Sequence, residues 1–403
     1  MLPDLPRGAE WTVSSAPGRA DFLNTHQDYK GLPVVPVAIT LRTYISGRLR
    51  KGGLFKVKSL NLKELGEPFE DAFQAGDPLL GEGWFGDYLR SIVNILLKEG
   101  YIDGRVGVEA WVKSQVPVGA GLSSSAALEV AFLTLLNSLY GLNLSRRDVA
   151  ELAYLAEHDE MGIPCGRLDQ YGSAFGGVIL LECRPPFRVK SLPSDELLFV
   201  VLDSGVRHST AVIHPERQRE IDEGLRALME TGLPSSIKAK LGFRYFEPRW
   251  EDVSIEEIEP YLDAVGETPA KRILFTLKMQ RSTEVAVRIL KGERLVEGGD
   301  EDVWERVKGL SKMEALGEII NYQHELLRDL YEVSHPKLEE VRNAALRAGA
   351  YGAKLSGAGM GGSIISLASR DTAEKVLEAG MRAGAVKGWI SPPGEPAKLH
   401  KAP

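Results

Sequence analysis

The sequence is poor in cysteine and lacks a long apolar run. Its 403 residues include two cysteines, Cys165 and Cys183. Two thiols so far apart predict neither a disulfide framework nor a zinc site. A membrane-spanning helix needs about 18 to 20 consecutive apolar residues, and no such run occurs. The first residues, MLPDLPRGAEW, have no apolar core and do not look like a signal peptide, so we expect a cytoplasmic protein with no membrane partner.

A strong excess of one charge is also missing. The chain has 49 basic and 56 acidic side chains, which gives a net charge of −7. Because both signs are scattered along the chain, no basic surface predicts nucleic-acid binding. Hydrophobic residues make up 43% of the sequence, which is enough to build a buried core and excludes a mainly disordered chain.

The distribution of residue types predicts an α+β protein. Runs rich in β-branched, aromatic and other apolar residues predict strands at WTVSSAP, LPVVPVAIT, TYISGRL, LFKVKSL, VGVEAWVKS, GGVILLEC, LLFVVLD and SIISLAS. Apolar residues at helical spacing predict helices at 84–99, 124–140, 145–161 and 373–382, and over most of 216–335. The prolines of RPPFRVKSLPSDE predict a change of domain near 185–200, and we divide the chain into 1–190 and 191–403.

Residues 117–127, PVGAGLSSSAA, join a predicted strand to a predicted helix. Gly119 and Gly121 allow the backbone to approach a ligand closely. Serines 123–125 stand at the helix start, where free N–H groups and the helix dipole favour an anion. Helix capping alone would need one serine, so three after two glycines favour a phosphate site. It is not a P-loop, because GxxxxGK[ST] does not occur in the chain.

Polar groups crowd the segment 16–39, between two predicted strands. Arg19, Asp21, His26 and Asp28 fall within ten residues there. Such groups, packed between core elements, need hydrogen-bond partners, which a hydroxyl-rich ligand would supply. A turn in which they bond to one another would also satisfy them, so the residues alone leave both interpretations open.

Two carboxylates stand 12 positions apart in AEHDEMGIPCGRLDQYG, namely Glu157 at a predicted helix end and Asp169 in a glycine-flanked turn. Mg²⁺ bound with phosphates usually takes one or two protein oxygens, and a second carboxylate can accept the proton of a hydroxyl. Taken alone, a solvated helix face and a helix cap would explain both residues. We expect Cys165, which lies between them, to be a small packed residue and not a nucleophile.

The segment SGAGMGGS at 356–363 matches GxGxxG through Gly357, Gly359 and Gly362. A dinucleotide-binding fingerprint follows a strand and opens a helix. Here the following residues, SIISLAS, predict a strand. We therefore expect a tight turn that closes onto a ligand, or else a purely structural turn.

Together and in this order, these segments resemble the GHMP sugar kinases, specifically the galactokinase branch. GRADFLNTHQDYKG resembles the first signature of that family, VPVGAGLSSSAALEVA the second and KLSGAGMGGS the third. AEHDEMGIPCGRLDQYG, DSGVRHSTA and HELLRDLYEVS are also similar to galactokinase stretches. The resemblance covers residues 14–370 and is thin in 215–300.

The resemblance implies a two-lobed α+β GHMP kinase fold, with an N-terminal lobe like ribosomal protein S5 domain 2 and a ferredoxin-like C-terminal lobe. It implies transfer of the γ-phosphate of ATP, with Mg²⁺, to the anomeric 1-hydroxyl of a sugar, so that the partners are the sugar and ATP. Asp169 would be the catalytic base and Arg19 its charged partner. The metal would be held by Glu157 and one hydroxyl of the serine run, assigned to Ser125. The implied sugar-binding residues are Thr25, His26, Asp28, Gly166 and His214, and the implied phosphate-binding residues are Gly119, Gly121, Ser123, Ser124, Ser125 and Ala126.

Two departures from the family concern the sugar. Thr25 stands where the family has a glutamate that contacts the 6-hydroxyl, and His214 stands where it has a tyrosine before a proline. Galactose fits, and so does a sugar that differs at C6, including a uronic acid, because loss of an anionic glutamate would suit a carboxylate. The complete GLSSSA loop favours an enzyme over a non-catalytic galactose and ATP sensor. The HQDY and CGRLDQ stretches argue against a homoserine or mevalonate kinase.

Overall fold

The strand-rich first part of the chain forms one mixed sheet in the computed structural model, which describes residues 3–81, 83–207, 210–293 and 301–400. The strands are β1 (Thr12–Leu23), β2 (Val35–Lys51), β3 (Leu54–Ser59), β4 (Glu70–Gln74), β5 (Val106–Ser114), β6 (Ile179–Leu181), β7 (Val189–Ser191), β8 (Phe199–Asp203), β9 (Gly352–Ser356), β10 (Ser363–Leu367), β11 (Lys387–Ser391) and β12 (Lys398–His400). The helices are α1 (Leu60–Leu65), α2 (Asp87–Lys98), α3 (Ser124–Tyr140), α4 (Arg146–Leu155), α5 (Leu168–Phe175), α6 (Thr210–Glu230), α7 (Ser235–Lys238), α8 (Ile255–Leu262), α9 (Glu267–Lys291), α10 (Glu301–Val307), α11 (Lys312–Asp329), α12 (Pro336–Arg347) and α13 (Ala373–Arg382).

The first sheet is built around the two long strands β1 and β2. Its strand order is β12-β1-β2-β5-β3-β4, and β3 pairs with β5 in parallel. β1 and β2 run antiparallel, with Val13 opposite Ser46 and Arg19 opposite Ala38. The apolar faces of α2 and α3 complete the core on this sheet, where Leu133 of α3 is fully buried.

The second sheet is antiparallel and has the strand order β11-β8-β10-β9. All residues of β8, β9 and β10 are buried. The sequences of β8 and β10 are accordingly mostly apolar, whereas β9 contains the buried Lys354. α11 packs against β9, and α13 packs against β8. Within the part of the chain that the structure describes, no helix is both long and apolar enough to cross a membrane.

Two predictions about the first strands are wrong. LPVVPVAIT and TYISGRL form the single strand β2, because the polar residues between them find partners in the fold. Arg42, for example, donates from Nε to Ser15 Oγ at 2.9 Å and from Nη1 to Glu395 O at 2.7 Å. Arg19 and Asp21 lie inside β1 and not in a turn.

The division of the chain at residue 190 falls inside the short strand β7, which spans Val189–Ser191. The larger apolar core is not confined to the second part, because it also takes in Phe22 of β1 and Val37 of β2. β12 also pairs with β1 of the first sheet. The boundaries 1–190 and 191–403 therefore stay a prediction. His208 and Ser209, which belong to the DSGVRHSTA stretch, lie outside the described residues.

Candidate active site

A cleft of about 370 Å³ brings the separated motifs together. It lies where β1, the turn after it, the start of α3, the segment 157–169 and the loop after β9 meet. The predicted site residues that line it are Arg19, Thr25, His26, Asp28, Gly119, Gly121, Ser123, Ser124, Ser125, Glu157, Gly166, Asp169 and His214. Ala126 does not line it, because its side chain is buried in the first turn of α3.

Arg19 holds Asp169 through one of its two carboxylate oxygens. Arg19 Nε and Nη2 donate to Asp169 Oδ1 at 2.9 and 2.6 Å. Among the described residues, Oδ2 of Asp169 has no hydrogen-bond partner, and the side chain is 28% exposed in the cleft. The arrangement leaves Oδ2 free to accept a proton from a bound hydroxyl.

Arg19 and Asp21 connect this carboxylate to both glycine-rich loops. Burial alone would lower the pKa of Arg19, but the charges of Asp169 and Asp21 raise it above its ordinary value, so the guanidinium stays charged. Arg19 Nη1 donates to Gly121 O at 2.8 Å and lies 3.1 Å from Asp21 Oδ1. Asp21 Oδ2 in turn accepts the N–H of Gly357 at 3.0 Å.

Helix α3 begins at Ser124 without a side-chain cap. Ser123, the residue before it, has a φ of 55°, and its hydroxyl makes no capping bond. Within the described part of the chain, the Ser123 Oγ is buried without a hydrogen-bond partner. By contrast, Ser145, Ser254 and Ser311 cap α4, α8 and α11 with complete capping boxes. The start of α3 thus presents free N–H groups and a free hydroxyl, which suit phosphate oxygens.

The two glycine-rich loops touch through their backbones. Gly121 has a φ of 69°, which glycine adopts without strain. A Cβ on Gly121 would lie 2.5 Å from Ser356 O, and a Cβ on Gly357 would lie 2.7 Å from the Cα of Gly121. Ser363 Oγ also donates to the carbonyl of Ala120 at 2.7 Å. Only residues without side chains allow this close approach.

The loop 356–363 is a turn between β9 and β10, as the sequence predicts, and it opens no helix. The dinucleotide interpretation therefore fails. Ser356, Gly357 and Ser363 contact the loop 117–123, while Gly357 and Ala358 line the cleft.

Arg207 lies beside the glycine-rich loop 117–123, and we did not predict it as a site residue. A Cβ on Gly119 would lie 2.9 Å from Arg207 Cδ. Its Nη1 and Nη2 donate to the two carboxylate oxygens of Asp203 at 2.6 and 2.8 Å, and its side chain is 42% exposed. The sequence did offer one signal for Arg207, because it belongs to DSGVRHSTA, a stretch that is similar to galactokinases. A cation held at this point suits a bound phosphate.

Glu157 lies in a π-helical turn, 156–160, that continues α4. It is buried, and Gln170 Nε2 donates to its Oε2 at 2.6 Å. Burial, and then the charge of Asp169, raise the pKa of Glu157, while a hydrogen bond with Ser125 lowers it. A carboxylate beside a serine hydroxyl on the cleft wall fits Mg²⁺. This ion takes only one or two protein oxygens, because substrate phosphates and water supply its other ligands.

Glu129, from α3, is fully buried beside Glu157. Burial, and then the charge of Glu157, raise the pKa of Glu129 well above its ordinary value, which favours its neutral form. The sequence did not indicate it, because a single glutamate in an apolar helix is usually on the surface.

The ring nitrogens of His26 are both occupied by the protein. Nε2 donates to Ala358 O at 3.0 Å, so Nδ1 accepts from the Tyr29 hydroxyl at 3.2 Å. The Tyr29 hydroxyl lies 2.6 Å from that of Tyr331, which completes the chain. Burial, followed by the nearby His214, holds the pKa of His26 well below its ordinary value. His26 therefore presents a neutral ring surface to the cleft.

Asp28 and His214 line the cleft with acceptor atoms, although Asp28 Oδ2 already accepts the N–H of Leu168 at 3.4 Å. Asp28 packs on Gly166, where any Cβ would overlap its carboxylate. Burial, and then the charge of Asp169, raise the pKa of Asp28 to about 6. His214 Nδ1 donates to Pro164 O at 3.1 Å, which leaves Nε2 as an acceptor without a partner among the described residues. Both groups suit sugar hydroxyls.

Thr25 lies between two residues in the left-handed region, Asn24 with a φ of 64° and His26 with a φ of 66°. Its Oγ1 accepts a hydrogen bond of 2.7 Å from Nζ of Lys354, a fully buried residue of β9. Lys354 is the first residue of the KLSGAGMGGS stretch, but nothing in the sequence indicated that it would pair with Thr25. The pairing exists only because β9 and the turn after β1 meet in the folded chain.

Three family descriptions match the sequence. GHMP kinases N terminal domain matches residues 87–177, GHMP kinases C terminal matches 307–385, and Galactokinase galactose-binding signature matches 7–49. The predicted site residues that line the cleft lie within these ranges, except His214.

Similar proteins and structures agree with these matches. Galactokinase of Pyrococcus furiosus is 32% identical over 375 residues, which are 92% of this chain and 92% of that protein. Human galactokinase is 29% identical over 92% of this chain and 87% of that protein. The crystal structure of Lactococcus lactis galactokinase complexed with galactose has a TM-score of 0.79 and 25% identity, and the alignment covers 97% of this chain and 95% of that one. Methanococcus jannaschii mevalonate kinase, at 15% identity and a TM-score of 0.66 over 97% and 99% of the two chains, shows the shared fold alone.

Proposed function

The chain belongs to the galactokinase family of the GHMP kinases and is a sugar phosphotransferase, and we propose that it transfers the γ-phosphate of ATP to the anomeric hydroxyl of galactose or a close relative. The proposal rests on one arrangement of residues in the cleft. Asp169, with Oδ1 held by Arg19 and Oδ2 free, lines the same cleft as the uncapped start of α3. Phosphoryl transfer to a hydroxyl requires a base and a phosphate-binding surface in one place.

In the proposed reaction Asp169 takes the proton and Arg19 assists it through its positive charge. Asp169 Oδ2 accepts the proton of the 1-hydroxyl as that oxygen bonds to the γ-phosphorus. The bond from the γ-phosphorus to its bridging oxygen breaks, and ADP leaves. Arg19 holds Oδ1 of Asp169 in place and stabilises the negative charge on the phosphoryl group during transfer.

The phosphates of ATP bind at the start of α3. The N–H groups of residues 123–126 point to the β- and γ-phosphates, and Gly119 and Gly121 allow the backbone to come close. Arg207 adds a positive charge beside Gly119. Glu157 and Ser125 would hold Mg²⁺, which neutralises phosphate charge when bound.

The sugar lies against the turn after β1. Asp28 and Nε2 of His214 accept hydrogen bonds from its hydroxyls, and Thr25 donates one. His26 contributes a neutral ring surface. Gly166 has no side chain, which allows Asp28 to occupy the space beside it.

The test is a coupled ADP-release assay with galactose, galacturonate, glucuronate, arabinose, N-acetylgalactosamine and mannose. We expect sugar-dependent ADP release, and ³¹P–¹H coupling at the anomeric proton of the product should place the phosphate on C1. Turnover with any of these sugars excludes a purely sensing role. A product phosphorylated at another carbon, or ADP release that no sugar stimulates, would contradict the proposal.

A further inference from the structure

Lys354 is a fully buried cation directly behind Thr25 of the cleft. Its Nζ donates to Asp21 O at 2.8 Å, to Thr25 Oγ1 at 2.7 Å and to Leu355 O at 2.9 Å. These three acceptors use all three hydrogens of the ammonium group, and none of them is charged. Within the described residues, no carboxylate oxygen lies at ion-pair distance from this nitrogen.

The carboxylate of Asp21, which is the charged neighbour of Lys354, is bound elsewhere. It lies 3.1 Å from Arg19 Nη1 and accepts the N–H of Gly357 at 3.0 Å. Burial lowers the pKa of Lys354 to about 8, although the charge of Asp21 opposes this shift. A buried ammonium without its own carboxylate is costly. Its charge is therefore available to an anion that enters the cleft.

The hydrogen bond from Lys354 decides how the Thr25 hydroxyl acts. A hydroxyl has one hydrogen, and because its oxygen accepts from the ammonium, this hydrogen points elsewhere. Thr25 Oγ1 has no acceptor among the described residues, and Thr25 lines the cleft. Thr25 is therefore a donor toward the ligand, and the neighbouring ammonium polarises it.

The surroundings of Asp169, unlike those of Lys354, disfavour a further negative charge. After burial, the charge of Asp169 is the largest cause that raises the pKa of both Asp28 and Glu157. The charged groups that affect Lys354 are instead Asp21 and Arg19. A negatively charged substituent is thus repelled near Asp169 and favoured at Thr25, which allows one orientation of a charged sugar.

We propose that Thr25 and Lys354 form a carboxylate-binding subsite and that the preferred sugar is a hexuronate. The inference rests on the proposed function, which requires a free anomeric hydroxyl at Asp169. A hexuronate keeps this hydroxyl and carries its carboxylate at C6, away from the reacting carbon. Thr25 donates to one carboxylate oxygen, and Lys354, acting through Thr25, balances the charge. A neutral hexose also accepts the hydrogen bond from Thr25, but it has no negative charge for Lys354 to balance.

The test compares kcat/KM for galacturonate, galactose and L-arabinose, which lacks C6. Wild type should prefer galacturonate to galactose by about tenfold or more, as expected of a hydrogen bond to a charged group. Thr25→Val, which removes the donor at nearly constant shape, and Lys354→Met should reduce this ratio by about tenfold or more, mainly through KM. Thr25→Ser keeps the donor and should preserve the ratio. Thr25→Glu should lower kcat/KM for galacturonate more than for galactose.

Lys30 supplies the matched control. It is also a fully buried lysine, and its Nζ donates to Thr276 Oγ1 at 3.0 Å. Lys30→Met should lower stability without changing the ratio of the two sugars. If Lys354→Met does not fold, the pair Thr25→Val and Thr25→Ser still decides the question.

The two proposals fail differently. Preference for galactose in wild type, or equal losses for both sugars in Thr25→Val, would overturn the carboxylate subsite and leave the kinase. Calorimetric titration measures the same discrimination as a ratio of Kd values. Tighter binding of galacturonate that depends on Thr25, without ADP release, would overturn the proposed reaction and support the subsite.

Discussion

The atoms already occupied within the protein decide what each cleft residue can offer. Arg19 takes one oxygen of Asp169 and leaves the other free. Pro164 takes Nδ1 of His214 and leaves Nε2, while both nitrogens of His26 are engaged. A residue type alone cannot show this difference. The two histidines therefore differ in role, although both line the cleft.

Replacement of Asp169 by Asn tests the base directly. The amide oxygen can still accept from Arg19, but the side chain can no longer take a proton. Turnover should fall by about 10²–10⁴-fold, whereas the affinity for a non-hydrolysable ATP analogue should stay within about threefold. Asp148→Asn, in the capping box of α4, is the control and should leave turnover intact. Near wild-type turnover of the Asp169 variant would disprove the assignment.

The buried ammonium of Lys354 also predicts a dependence of stability on pH. Because burial lowers its pKa to about 8 in the folded chain, the unfolded chain binds more protons between about pH 8 and the ordinary lysine pKa of about 10.4. The free energy of unfolding contributed by this group therefore rises with pH in that window. Urea unfolding of wild type and Lys354→Met should show a difference that shifts in favour of wild type from pH 8 to pH 10. A difference that stays constant with pH would contradict it.

At the scale of elements, helix α3 is the exception among helices that follow a serine. Ser145, Ser254 and Ser311 each cap a helix, whereas Ser123 adopts a left-handed backbone and leaves the first N–H groups of α3 free. Left-handed residues, which are uncommon outside glycine, often mark functional sites. The same sequence signal, a serine before a helix, thus serves stability at α4, α8 and α11, and also at α1, where Ser59 accepts from the N–H of Leu62. At α3 we propose that it serves ligand binding.

Ser123 and the capping serine Ser145 should respond differently to substitution by alanine. Ser123→Ala removes a buried hydroxyl that has no partner within the described chain, so thermal stability should hold or rise slightly, while KM for ATP should increase. Ser145→Ala removes a true cap and should cost about 0.5–2 kcal/mol, with KM for ATP unchanged. Thermal unfolding and steady-state kinetics on both variants check this. Equal destabilisation by the two changes would contradict the distinction.

At the scale of the whole molecule, the cleft exists because the two sheets meet there. Asp21 of β1 connects them, since it accepts the N–H of Gly357 and its carbonyl accepts from Lys354 of β9. Arg19 extends this connection to the loop 117–123, because its Nη1 donates to the carbonyl of Gly121. A few buried polar groups therefore link Asp169, the proposed base, to the loop that we propose binds phosphate.

Asp21→Ala should weaken both stability and nucleotide binding. It leaves the buried N–H of Gly357 without its acceptor and removes one partner of Arg19, at a cost of about 1–3 kcal/mol. The melting temperature should fall and KM for ATP should rise. Glu64→Ala, which breaks an exposed ion pair with Lys113, is the control and should change neither quantity appreciably. An Asp21 variant that behaves like this control would show that the connection is unimportant.

Local sequence was sufficient for much of the fold and for most of the cleft. The helix over 124–140 follows from its apolar residues, and the last helix, 373–382, was predicted with the bounds that the structure has. The motif residues other than Ala126 line one cleft. The sequence did not predict the short, partly polar strands β4 and β12, however. β4 pairs with the preceding strand β3, and β12 pairs with the distant strand β1.

The amino-acid sequence by itself determined the family, the α+β class and the types of group in the cleft, because motifs and periodicity are local properties of the chain. Only the tertiary structure decided which atoms of those groups are free. Lys354 is the clearest case, since it lies far from Thr25 in the sequence and contacts it through a single hydrogen bond. Asp169 is the second, because the free oxygen depends on the position of Arg19 across the cleft. Hydrogen bonds between distant segments have no local signature, so folding alone assigns them.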